Sequence, residues 1–231
     1  MKAVACPISI RGAVAHLIRG GDRGRFMGEL SSGAVQVAEE PDTACPVWSV
    51  SLDARIDQPA HRAARFQEQD TYDPFCSVEV DFGVDIPHDG DVLALYQHKE
   101  WWMRPTWEAS FGDIPERTQL LLWRSSDAWC TMLTVCVNDI RTDIGASDGR
   151  LRLQVATNVM GFTRLDGMLC VTALSDEPYQ AIHECVRVAA AQTHIRMRSE
   201  RAFPQELTGL GWCTWDSLGQ DVDESSIIAK M

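Results

Sequence analysis

Residues 210–217 read Leu-Gly-Trp-Cys-Thr-Trp-Asp-Ser, and the reading of LGWCTWDS decides how the rest of the chain is understood. The stretch is β-prone, apolar along one side, and ends on Trp215 and Asp216. A helix-start pattern, Asp221-Val222-Asp223-Glu224, follows it. A strand that delivers an aromatic ring and a carboxylate at its C-terminal end, just before a helix, is how a β/α barrel presents active-site groups. A whole barrel takes roughly 250 residues, whereas the sequence stops at Met231. The expectation is an N-terminal domain followed by the first strand of a truncated barrel.

Upstream, the dominant period is two. Val50, Leu52, Ala54 and Ile56 alternate with Ser51, Asp53 and Arg55; Val78, Val80, Phe82 and Val84 alternate with Glu79, Asp81 and Gly83; Leu151, Leu153 and Val155 alternate with Arg152 and Gln154. Each reads as a half-buried strand with one wet face. Turn signals separate them: Gly20-Gly21-Asp22, Pro41-Asp42, Asp73-Pro74, His88-Asp89-Gly90, Asp148-Gly149 and Asp166-Gly167. The last two are predicted hairpin turns, since glycine accepts the positive φ such turns require. Thr118–Arg124 and Trp129–Val137 are apolar nearly throughout, as strands covered on both faces are. Many strands without alternating helices predict stacked antiparallel sheets over residues 1–176.

The period then changes. From Pro178, the residues Tyr179, Ile182, Val186, Ala189 and Thr193 recur at helical spacing, and acidic residues before them and basic residues after them suit a helix dipole. Ser175 or Asp176 is the expected cap. Helix and polar linker together occupy residues 177–208, leaving 209–231 for the opening of the barrel. The stretch from Met197 onward, lacking the rest of a barrel, is expected to lie loosely and to expose strand edges.

Composition narrows the function. A formal net charge of −12 argues against nucleic acid, whose phosphates need a basic face, and against anionic membrane surfaces. Pro7 and Arg11 interrupt the apolar run needed for a signal peptide, and no stretch of about twenty apolar residues occurs. A cytoplasmic protein with reduced cysteines is expected. The eight cysteines form no CxxC pair and no zinc spacing with histidine, so neither a metal nor another cofactor is expected.

Eight tryptophans remain to be explained, and five of them fall in two clusters, Trp101, Trp102 and Trp107, and Trp212 and Trp215. Aromatic rings stack on the C–H face of a sugar while neighbouring polar groups bond its hydroxyls; the plainer alternative is core packing. Trp101 and Trp102 are adjacent, and adjacent strand residues point to opposite faces, so at least one ring must leave the core or sit on a loop. Asp216 is a substrate carboxylate, a catalytic one, or a helix cap. One carboxylate cannot perform glycoside hydrolysis with retention, which uses two about 5–5.5 Å apart.

The segment WWMRPTWEASFGDIPERTQLLLW at 101–123, the helix PYQAIHECVR and then GWCTWDS resemble, in that order, the raffinose synthase and seed-imbibition-protein branch of the α-galactosidase-like glycoside hydrolase family 36. Glu108 and Arg117 depart from the family's pattern. The resemblance implies an N-terminal antiparallel β-supersandwich, then a barrel whose strand ends hold an α-galactoside oligosaccharide. It also implies retaining aspartate chemistry, with the aspartates on later strands that match nothing in this chain. No catalytic residue is therefore expected here; Trp215, Asp216 and Trp212 are expected to line the sugar site, with Trp101 and Trp102 reaching towards it. The parent activity is that of an α-galactosidase or galactosyltransferase, and the alternative is a non-catalytic carbohydrate-binding or structural sandwich. A homo-oligomer of a full-length enzyme is allowed but not required.

Overall fold

A computed structural model describes residues 5–8, 14–19, 22–29, 34–55, 76–81, 86, 90–147, 149–157, 164–209 and 215–230. The chain forms two compact units, Met1–Ile195 and Arg196–Met231. The first is mainly antiparallel β. Its strands are β1 (Val14–Arg19), β2 (Asp22–Glu29), β3 (Val35–Glu39), β4 (Val47–Arg55), β5 (Cys76–Asp81), β6 (Val92–Lys99), β7 (Trp102–Glu108), β8 (Thr118–Ser125), β9 (Ala128–Thr134), β10 (Ile140–Ser147), β11 (Arg150–Thr157) and β12 (Arg164–Ser175). They pair in the order β2-β1-β5-β11-β10-β8-β9-β12-β4-β3, and β6 also pairs with β8 and carries β7 at an edge.

The alternating runs bury as their period demands. Val50, Leu52 and Ala54 of β4 and Leu151, Leu153 and Val155 of β11 all lie in one core with Val92, Ala94, Leu121, Trp123 and Ile144. Strands far apart in the pairing order thus share a core, so the sheet folds back over itself as a sandwich does. Ile56, Phe82 and Val84 lie outside the described residues. The two apolar segments form the neighbours β8 and β9 in the interior of the order, and Trp123 is fully buried, edge-on to Phe111 at 5.5 Å.

One predicted turn is a strand. Between β10 and β11 Ser147 faces Arg150 and Gly149 has positive φ, with Asp148 outside the described residues, but Asp166-Gly167 lies inside β12, with Gly167 opposite Leu52. The reason is a close approach. A Cβ on Gly167 would sit 2.6 Å from Val137 Cγ2, so the glycine makes room for a neighbour rather than for a reversal. Real reversals occur instead at Asn138-Asp139, both at positive φ, between the bridged Val137 and Ile140. Asparagine and aspartate tolerate that conformation better than most residues.

The expected helix is present as α1 (Pro178–Thr193), with proline in its first turn. Ser175 acts near its start: its hydroxyl accepts from the Glu177 N–H and bonds Gln180 Oε1. Glu177 is the cap position itself and makes no side-chain cap bond. The buried face is not the anticipated stripe. Tyr179 and Val186 are exposed, while Ala181, Glu184, Cys185, Val188 and Ala190 are buried. The helix packs on β9 and β12, and small side chains such as Ala181 and Cys185 let its backbone approach Val171 and Ala173 closely. Buried Glu184 accepts from the Ala44 N–H at 3.3 Å and from Arg187 Nε at 3.0 Å, and Arg187 Nη2 also donates to the Asp42 carbonyl. This ties the loop before β4 to the helix.

In the second unit, α2 (Trp215–Leu218) and α3 (Glu224–Lys230) follow two short 3-10 turns, Arg198–Glu200 and Gln205–Leu207. The helix-start pattern is real: Asp223 Oδ1 accepts from the Ser226 N–H at 2.7 Å, which holds its carboxyl below the usual range. The anticipated strand end is not. Trp215 and Asp216 open a helix by their backbone; residues 210–214 lie outside the described residues. Among the described residues no helix is long and apolar enough to cross a membrane.

Candidate functional site

The β6–β7 hairpin holds the first tryptophan cluster. Its root is fixed, because Val92 and Ala94 are fully buried against the sandwich core and β6 is paired on both sides, to β7 and β8. β7 is an edge strand, the position where Pro105 can sit without costing a ladder bond. The register runs from Val92↔Glu108 to Lys99↔Trp102, with a slip between Gln97 and Lys99. Glu100 and Trp101 form the turn, and Gln97 Nε2 donates to the Glu100 carbonyl at 3.0 Å.

Trp101 is therefore on the tip, 74% exposed, and Trp102 opens the returning strand, 57% exposed. The adjacent pair does what its spacing requires: neither ring is in the core. The two faces of the hairpin differ in chemistry. On one, Tyr96 lies opposite Arg104 in the register, His98 stands edge-on to Tyr96 with ring centroids 6.0 Å apart, and Arg104 Nη1 is 3.5 Å from His98 Nε2. Trp102 precedes Arg104 by two positions and so shares its face. On the other, Leu93, Leu95, Met103, Pro105 and Trp107 are paired in register as an apolar strip, with Met103 and Trp107 exposed.

The second cluster is in the other unit. Trp215 and Asp216 are described through their backbone, at the head of α2, and Trp212 lies outside the described residues. The structure brings Trp101 and Trp102 together on one hairpin. His98 and Arg104, which the sequence reading did not single out, stand beside Trp102 on this candidate hairpin.

Other reactive groups are closed off. Burial pushes the Cys45 thiol up to about 11 and Cys130 up to about 12, and it raises Cys170 and Cys185 as well, so none of these is poised as a nucleophile. Asp143 is buried on β10, bonded by Gln119 Nε2 at 2.7 Å and paired with Arg141 at 2.8 Å. Burial nevertheless raises its carboxyl above the ordinary value. Among the described residues no group of three His, Cys, Asp or Glu side chains could hold a metal ion.

An antiparallel sandwich followed by one long helix is the arrangement that the resemblance implied for this part of the chain. The chain belongs to the raffinose synthase or seed imbibition protein Sip1 family, whose profile matches residues 83–231. It is 26% identical over 163 residues to a protein of Arabidopsis thaliana described as probable galactinol–sucrose galactosyltransferase 6, a match covering 60% of this chain and 21% of that protein. It is 22% identical over 148 residues to probable galactinol–sucrose galactosyltransferase 4 of the same plant, covering 60% of this chain and 16% of that one. The chain thus spans about a fifth of the length of the curated relatives it matches.

Proposed function

We propose that this chain is the N-terminal sandwich and the opening of the barrel of a cytoplasmic enzyme that transfers or hydrolyses α-galactosyl groups of raffinose-family oligosaccharides by a retaining mechanism. The family match over residues 83–231 carries this reading, and the exposed Trp101 and Trp102 support a sugar-facing role for the hairpin. In it, Trp212, Trp215 and Asp216 form part of the first wall of the sugar site. The two carboxylates of the retaining reaction belong to barrel strands that this chain does not contain, so its own contribution is sugar contact. A second reading, a structural sandwich packed against a partner, is favoured by the exposed Met103 and Trp107 on the other face of the hairpin.

Two measurements on residues 1–231 test the proposal. The chain is expected not to cleave p-nitrophenyl α-galactoside, and turnover lost in Asp216→Asn would show that it holds its own catalytic carboxylate. It is also expected to bind raffinose, read by quenching of indole fluorescence, with the signal lost in Trp101→Ala/Trp102→Ala. Absence of raffinose binding by the unmodified chain would leave the structural reading in place.

A further inference from the structure

We infer that sugar contact is made by one face of the hairpin only, the one bearing Tyr96, His98, Trp102 and Arg104, and that Arg104 is the residue that orients a galactosyl unit there. This rests on the reading of the chain as an α-galactoside-handling protein and names the residues that make the contact.

Sugar recognition needs two things at once: an open aromatic ring for the C–H face and convergent polar groups for the hydroxyls. Trp102 offers the ring, with 57% of its surface exposed. The polar groups stand beside it. Arg104 is exposed, and its planar fork of N–H donors spans two neighbouring oxygen atoms in a way a lysine ammonium does not. Its guanidinium can only donate, and its Nη1 lies 3.5 Å from His98 Nε2, at the outer limit of a hydrogen bond. His98 is in turn set against the edge of Tyr96. The strand register places Arg104 opposite Tyr96, beside this pair of rings. A galactose ring, whose axial 4-hydroxyl leaves one C–H face uninterrupted, matches an indole flanked by a bidentate donor.

The opposite face provides the contrast. Leu93, Leu95, Met103, Pro105 and Trp107 supply no hydroxyl-binding group, and Gln97, in register with Met103, already donates to the Glu100 carbonyl. An exposed indole is present there too, at 60%, so ring exposure alone does not distinguish the faces. The polar groups do.

The test is a titration of the 231-residue chain with raffinose, and with maltotriose as a galactose-free comparison, followed by saturation-transfer NMR and calorimetry. Circular dichroism establishes that each variant is folded. Raffinose is expected to bind in preference to maltotriose. Trp102→Ala and Arg104→Ala are each expected to weaken binding about tenfold or more, the cost of losing a charged hydrogen-bond donor or a stacked ring. Arg104→Lys should fall between them and the unmodified chain, because it keeps the charge and loses the fork. Trp107→Ala should bind within about twofold of the unmodified chain. Loss of binding in Trp107→Ala with retention in Arg104→Ala and His98→Ala would overturn the assignment of the face while leaving the sugar reading intact. Equal binding of maltotriose would overturn the galactosyl class. No raffinose binding by the unmodified chain would remove the sugar reading itself.

Discussion

Gly167→Ala should be among the most destabilising single-methyl additions in the molecule. The new Cβ would stand 2.6 Å from Val137 Cγ2, against about 3.5–4.0 Å for an ordinary carbon contact. One group must move by roughly 1 Å, and overpacking of this kind costs about 1–3 kcal/mol. The backbone adds to it. Gly167 has φ of +154° in mid-strand, a conformation outside the usual range of L-residues, with a cost of about 1–3 kcal/mol. The two contributions separate in a double-mutant cycle. Val137→Ala removes the colliding methyl, so Gly167→Ala/Val137→Ala should recover about 1–3 kcal/mol of packing and none of the backbone cost. Urea unfolding followed by tryptophan fluorescence gives each free energy. A Gly167→Ala loss below about 0.5 kcal/mol, or a cycle without coupling, would refute the reasoning.

Glu184→Ala removes the acceptor for the Ala44 N–H and for Arg187. Breaking a fully buried pair costs about 3–5 kcal/mol; Arg187 is 38% exposed and regains water, so about 2–3 kcal/mol is expected in the same unfolding assay, and no loss would show that the loop before β4 is held by other contacts. Asp143 predicts a pH dependence of definite sign. Its folded carboxyl lies above the ordinary 3.8 because burial outweighs the pairing with Arg141, so the native state holds the proton longer than the unfolded chain does. The Asp143 contribution to stability is then present below about 3.8 and falls as pH rises through the folded value. Compared across pH 3–7, the stability of the unmodified chain relative to Asp143→Asn should fall with pH; a rise would mean that the Arg141 pairing wins.

The alternation that revealed β4 and β11 was legible because burial on one side of a strand writes itself into every second residue. Val50, Leu52 and Ala54, and Leu151, Leu153 and Val155, are all buried. Asp166-Gly167 was not legible, because the same dipeptide suits a turn locally and a close packing contact at long range. What decides is Val137, thirty residues away in sequence and adjacent in space. The helix was legible in its position, from Pro178, and not in its rotation. Tyr179 and Val186 have the apolar character expected of a core face, yet the face turned to the sheet carries Ala181, Cys185 and Val188 together with the charged Glu184. Hydropathy does not anticipate a buried glutamate that is held by partners from a distant loop.

The candidate site divides in the same way, and the β6–β7 register shows why. That Trp101 and Trp102 could not both be core residues followed from adjacency alone. Their polar companions did not, because they depend on a slip in the ladder. Extending the pairing Tyr96↔Arg104 and Gln97↔Met103 without interruption would set His98 opposite Trp102 and Lys99 opposite Trp101, with Glu100 alone left to reverse the chain. One residue cannot close a hairpin, for which two is the common minimum. An extra residue at His98 shifts the register to Lys99↔Trp102 and frees Glu100 and Trp101 for the turn. The bulge thus lifts Trp101 onto the tip and leaves His98 unpaired in the ladder, free to bring its ring between Tyr96 and Arg104. Bulges re-aim side chains in this way at sheet edges. The aromatic part of the site is therefore a matter of composition and spacing, whereas its polar part is a consequence of how a two-residue turn is closed.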